Sequence, residues 1–167
     1  MATILEINGE NPFKVRAYEN AARIVEGLND LETRIENGLL TEIRGIGENL
    51  AEHITELYRT GKIKEHERLR KSMPPGIFNI LAIPGVGPKT VNYLWKKMHI
   101  DDLGELELVC KHGTLRKRKG FGQKTEKKIL QGIAYLRRNT GQHLYSNAFV
   151  AAREIYEQLK KHPTVIR

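Results

Sequence analysis

The pentapeptide Ile43-Arg44-Gly45-Ile46-Gly47 has two counterparts further along the chain, Ile83-Pro84-Gly85-Val86-Gly87 and Arg118-Lys119-Gly120-Phe121-Gly122. Each sets one apolar residue between two glycines just ahead of a segment that reads as a helix, although the third lacks the leading apolar residue. Two glycines allow a tight turn whose backbone can come close to a ligand. The apolar residue between them anchors the turn in a core. A second glycine that opens a helix leaves unpaired amides and the positive end of the helix dipole facing outward, which favours an anion. The product is a phosphate cradle with no side chain that reads a base. Lys89 and Lys124 stand two residues past the second glycine of their copies, Asn49 holds that place in the first, and Thr90 follows Lys89. The candidate contacts are Gly45, Gly47, Asn49, Gly85, Gly87, Lys89, Thr90, Gly120, Gly122 and Lys124, with the run Arg116, Lys117, Arg118 and Lys119 ahead of the third copy. Gly-x-Gly also makes ordinary helix-helix turns, so the argument rests on its repetition.

Other chemistry is thinly represented. The six histidines, at 53, 66, 99, 112, 143 and 162, form no His-x-x-x-His pair and no spacing suited to a metal. Cys110 is the single cysteine, which excludes an internal disulfide and a cysteine-based zinc site and suits a reducing compartment. It follows Leu108-Val109 and reads as a small core residue. Trp95 falls on an apolar helical stripe, where packing is expected rather than base stacking.

The charge is unevenly placed. The 167 residues carry 28 Lys+Arg and 20 Asp+Glu, a net of +8. Residues 1–73 hold 11 basic and 13 acidic side chains, a net of −2, whereas residues 74–145 hold 13 and 5, a net of +8. Ten basic residues and one acid, Glu126, fall within 111–138. A local excess of this kind points to a polyanion, set against the plainer reading of a solvated lysine-rich face. No apolar run approaches the roughly 18 residues of a membrane span, and the opening residues show no secretion signal.

The elements that must position these residues read as helices almost throughout, so the expected fold class is all-α. Asn11-Pro12 is a helix start, followed by a stripe of Ala17, Ala21, Ile24, Val25 and Leu28. A helix near 30–37 ends at Gly38. Leu50, Ala51, Ile54, Leu57 and Tyr58 form a further stripe, as do Val91, Leu94, Trp95 and Met98, and then Ile129, Ile133 and Leu136. Met73-Pro74-Pro75-Gly76 is the strongest breaker and coincides with the change of charge, which places a boundary after residue 73. Asn139-Thr140-Gly141 is a second break, before an amphipathic helix capped by Ser146.

Gly-apolar-Gly between helices resembles the helix-hairpin-helix motif of proteins that bind DNA without regard to sequence. The order of the copies resembles the N-terminal region of family X DNA polymerases, the group that includes DNA polymerase beta. Residues 11–22, Asn11-Pro12-Phe13-Lys14-Val15-Arg16-Ala17-Tyr18-Glu19-Asn20-Ala21-Ala22, resemble an early helix of that family's lyase domain. Residues 43–63 resemble its first hairpin and the helix after it, and residues 77–98 the hairpin of the DNA-gripping subdomain. The resemblance implies a lyase-like helical domain over 1–73, a helix-hairpin-helix DNA-binding domain over 74–145, and the start of a truncated palm domain over 146–167. The metal-binding aspartates of the family's palm have no match here, so polymerase activity and Mg2+ are expected only in a longer protein of which this is a fragment. The family's lyase reaction forms a Schiff base on a lysine amine. His53 stands at that position, and an imidazole cannot form the imine in the same way. Lys14 matches a contact to a 5′-phosphate and Tyr18 a tyrosine of the lyase pocket, so Lys14, Tyr18 and His53 are the lyase candidates. Lys62 and Lys64 are alternative amines, read more plainly as solvated surface. The resemblance also implies a Na+ or K+ ion at each of the first two hairpins, held by the carbonyls of Thr41, Ile43 and Ile46 and of Leu81, Ile83 and Val86. The expected function is sequence-independent binding of gapped or nicked duplex DNA by a monomer with no membrane partner, in the cytoplasm with the nucleoid rather than in a nucleus. The alternatives are an active deoxyribose-phosphate or abasic-site lyase and a helical protein-interaction module.

Overall fold

The structure is a computed structural model that describes residues 1–139. These contain nine α-helices and no strand, so the described residues are all-α as expected. Two compact units divide it, Met1–Ile133 and Ala134–Arg167. In order, the helices are α1 (Ala2–Ile7), α2 (Pro12–Glu26), α3 (Leu31–Glu36), α4 (Glu48–Thr60), α5 (Lys64–Lys71), α6 (Gly76–Leu81), α7 (Pro88–Met98), α8 (Leu103–Lys111) and α9 (Gln123–Asn139). Short 3-10 turns at Leu40–Glu42 and Leu115–Lys117 lead into the first and third repeats. No helix among the described residues is long and apolar enough to cross a membrane.

Local chemistry accounts for the helix starts. Asn11 Oδ1 accepts the amide of Phe13 at 2.9 Å, with Pro12 at the first helical position. Asp102 Oδ1 accepts the amides of Gly104 and Glu105 and so caps α8. Of the described acids, Asp101, Asp102 and Glu105 come closest together, but capping occupies Asp102, and Glu105 takes the Asp101 amide.

The apolar stripes meet in the interior. Ile35, Leu40 and Ile46 are buried, and Ile24, Val25, Leu31, Ile43, Leu50, Ala51 and Ile54 pack against them. This cluster seats the first repeat on α2, α3 and α4. Ile77, Ile80, Ile83, Val91 and Leu94 are buried around the second repeat, and Leu115, Ile129 and Ile133 around the third. Cys110 lies in the interior as expected, where burial and the nearby charge of Glu126 push its thiol up to about 11.

The boundary expected after residue 73 falls inside the first compact unit, between α5 and α6. A helix that sequence patterning did not reveal, α1, packs against α2 and α5 on one side of that boundary and against α7 on the other. The expected break at 139–141, the end of the 74–145 domain, the whole 146–167 segment and the histidines at 143 and 162 lie outside the described residues.

Candidate functional site

The three repeats fold alike. Gly45, Gly85 and Gly120 have φ of +100°, +84° and +91°, the left-handed region that glycine enters without steric cost. In each turn the central apolar residue donates its amide to the carbonyl three residues earlier: Ile46 to Ile43 at 2.9 Å, Val86 to Ile83 at 3.0 Å and Phe121 to Arg118 at 3.1 Å. Ile46 and Val86 are 3% and 7% exposed, so the turns are pinned to the core. Phe121 is half-buried instead, with its ring centroid 5.3 Å from that of Tyr93 on α7.

The second glycines differ from the first. Gly47 and Gly87 have φ of −87° and −93° with ψ near 175°, an extended conformation open to any residue. A Cβ built on Gly47, Gly87 or Gly122 would meet nothing within 4 Å. Folding does not demand glycine at these positions. Each of Gly47 and Gly87 is nevertheless the N-cap of its helix and supplies no side-chain hydrogen bond, where serine, asparagine or aspartate would offer an acceptor and cap slightly better. The first-turn amides of α4, and those of Lys89 and Thr90 in α7, where Pro88 has none, are therefore left without a side-chain cap beside a glycine that faces open space.

The expected basic contacts divide into two groups. Lys89, Lys117, Arg118, Lys119 and Lys124 are exposed, with Lys89 Nζ 4.0 Å from Glu6 Oε1. Arg116 is committed to the fold: its Nε lies 2.8 Å from Glu126 Oε2, and its backbone amide donates to Glu126 Oε1 at 2.6 Å. Glu126, the one acid of the basic segment, is only 3% exposed. It latches the turn before the third repeat to the helix after it. The second and third repeats also touch directly, because a Cβ on Gly132 of α9 would lie 2.5 Å from Ile83 Cγ2.

The lyase candidates come together around an acid. Tyr18 Oη on α2 lies 2.8 Å from His53 Nδ1 and 3.2 Å from Asn49 Oδ1, both on α4. His53 Nε2 lies 3.3 Å from Glu65 Oε2 on α5, and Lys14 Nζ lies 3.9 Å from the other oxygen of Glu65. Both ring nitrogens of His53 are thus engaged. Burial first, and then the charge of Glu65, push the Tyr18 hydroxyl above its usual range and keep it neutral. Glu65 escaped the sequence reading because it sits on a different helix from every partner it binds. Tyr18 and His53 also line an apolar groove of about 840 Å³ between α2 and α4, with Leu57 and Tyr58 on its rim. Lys62 and Lys64 are exposed and outside the cluster.

Residues 1–63 match a family described as "Helix-hairpin-helix domain", and residues 79–134 one described as "SAM-like Helix-hairpin-helix tandem". Over all 167 residues the chain is 32% identical to the DNA polymerase/3'-5' exonuclease PolX of Bacillus subtilis (strain 168), and it spans 29% of that protein's length.

Proposed function

From a chain that carries helix-hairpin-helix regions and is similar along its whole length to part of a family X DNA polymerase, we propose a role as the DNA-holding region of such a polymerase. The hairpins grip phosphates through backbone amides without regard to base sequence. One observation carries this reading: the second glycine of each hairpin is not required by the fold, yet as the N-cap of α4 and α7 it offers no side-chain acceptor to the first-turn amides. A phosphate oxygen supplies the missing cap, and the absent Cβ lets it approach. Contacts of this kind set position and affinity and carry no base readout.

The three hairpins contribute unequally. Lys89 and Lys124 place an ammonium beside the second and third, and Lys117, Arg118 and Lys119 add to the third. The first has Asn49 at the lysine position and exposed acids at Glu42, Glu48 and Glu52, so it binds a phosphate weakly. The lyase reading is disfavoured by the same region, where His53 replaces an amine and Glu65 occupies Lys14. Na+ or K+ fits the first two turns, because the carbonyls of Ile43 and Ile83 each accept one amide and keep a second lone pair. With Thr41, Ile46, Leu81 and Val86 they would hold the ion, which supplies positive charge next to a DNA phosphate. Gapped or nicked duplex as the preferred form, a monomeric state and a place on the bacterial nucleoid belong to the same proposal.

The test is binding of the full chain to several duplexes of unrelated sequence over a range of salt concentrations. Equal affinities and a common steep salt slope are expected. A strong sequence preference, or binding that salt leaves unchanged, would contradict the reading.

A further inference from the structure

Charges on an exposed helix face commonly alternate in sign, since opposite charges three or four residues apart support the helix. The face of α2 does so: Arg16, Glu19, Arg23 and Glu26 follow one another at spacings of three and four, and all are exposed. The first half of α9 breaks this pattern. Lys124, Lys127, Lys128 and Gln131 are exposed on one flank, again at spacings of three and four, with no acid among them. Glu126, the one acid of α9, is buried and committed to the side chain and amide of Arg116, so it does not relieve the lysines. Lys124 stands at like-charge spacing from both Lys127 and Lys128, which disfavours the helix. It also lies in the first turn, where the helix dipole opposes a cation. The flank cannot roll inward. Ile129, Gly132 and Ile133 are buried on the opposite side of α9, and a Cβ on Gly132 would lie 2.5 Å from Ile83 Cγ2. Along the axis, Lys124 to Gln131 covers about 10 Å, roughly the rise of three phosphates on one DNA strand.

We propose that this flank of α9 is a rail for the nucleic-acid backbone, on which Lys124, Lys127 and Lys128 take successive phosphates of the strand that leaves the third hairpin. The proposal rests on the DNA reading above and adds Lys127 and Lys128 to it. Residues that work against their own helix mark a place shaped by something other than folding. A phosphodiester strand removes the conflict, because its charges stand among the lysines, and each phosphate neutralised releases counterions. A nucleic acid is favoured over an acidic protein segment by position. The flank begins within a turn of Gly122, which faces open space, and follows the exposed Lys117, Arg118 and Lys119.

The test compares two double variants of the full chain, Lys127→Gln with Lys128→Gln, and Arg16→Gln with Arg23→Gln. The second pair loses the same charge from the alternating face of α2. Glutamine is close to lysine and arginine in helix propensity, so charge is what changes. Without DNA and at low salt, the lysine variant is expected to melt about 1 °C above the parent, a gain that high salt removes. The arginine variant is expected to melt slightly below the parent. A lysine variant that melts at or below the parent at every salt concentration would overturn the conflict assigned to the flank. On intact duplex the lysine variant is expected to lower the slope of log affinity against log salt by about 2, for two phosphates lost, and the arginine variant to leave it unchanged. Equal losses in the two variants would overturn the rail, since net charge alone would then account for them. A raised melting temperature with an unchanged slope would also overturn the rail and leave the flank to an acidic protein partner. In both cases the parent still binds DNA and the hairpin reading stands. A parent that binds no duplex would overturn the proposed function and the rail with it.

Discussion

At the scale of the residue, the two glycines of each hairpin have separate tasks, and their substitutions separate accordingly. Gly85 sits at φ +84°, where any side chain is strained by about 1–2 kcal/mol. Gly87 is extended and faces open space, so alanine there costs well under that. Urea unfolding of Gly85→Ala and Gly87→Ala in the full chain should show the first clearly destabilised and the second nearly unchanged; equal losses would mean both glycines serve the turn alone. Sequence spacing showed that the glycines matter but not which was structural, because φ is not written in a pentapeptide. The lyase candidates were legible in the same partial way. Lys14, Tyr18 and His53 do converge, but the acid that joins them, Glu65, comes from another helix. With the imine-forming amine absent and Lys14 facing Glu65, borohydride in the presence of an abasic oligonucleotide should trap no covalent adduct on the full chain. A trapped adduct lost in Lys14→Ala would reinstate the lyase.

At the scale of the element, helix ends were easier to read than helix partners. Asn11-Pro12 starts α2 and Gly61 closes α4, as the capping residues require. The six residues of α1 are too few for a periodic stripe to register, and only the burial of Ile4, Leu5 and Ile7 explains them. On α4 the stripe from Leu50 to Tyr58 is real, yet Leu57 and Tyr58 are about half exposed on the groove rim. The hydroxyl of Tyr58 bonds Glu32 instead of a core partner. Arg116 read as one of four equal bases until its partner was located. A lone acid among ten bases looks like surface, and its burial follows only from the way α9 returns over the preceding turn. Glu126→Ala removes the acceptor of the Arg116 amide as well as the ion pair and should lower stability by about 1–3 kcal/mol. Glu126→Gln keeps an acceptor oxygen and should lose less. Thermal unfolding of the two variants checks the order, and equal stability of both with the parent would remove the latch.

At the scale of the whole molecule, the charge split was plain in the sequence while the packing of α1 across residue 73 was not. Composition changes at residue 73, but a boundary in composition is no boundary in packing when a short helix spans it. The basic excess has a measurable consequence: each phosphate neutralised on duplex DNA adds about 0.9 to the slope of log affinity against log salt. Lys117, Arg118 and Lys119 are exposed and Arg116 is engaged with Glu126. Replacing the first three by glutamine should therefore lower the slope by roughly 2–3, whereas Arg116→Gln alone should act mainly on stability. A slope that is unchanged in the triple variant would place the DNA elsewhere.

The central claim, that bare helix starts behind the hairpins receive phosphates, is tested most directly by Gly87→Asp and Gly122→Asp in the full chain. Each puts a carboxylate into open space at a helix start, where aspartate caps better than glycine by a few tenths of a kcal/mol, on the order of 0.3. Folding and DNA binding are thereby driven in opposite directions. The account predicts an unchanged or slightly raised melting temperature together with at least a tenfold loss of affinity, equal across duplexes of unrelated sequence. Full affinity in the folded double variant would contradict it.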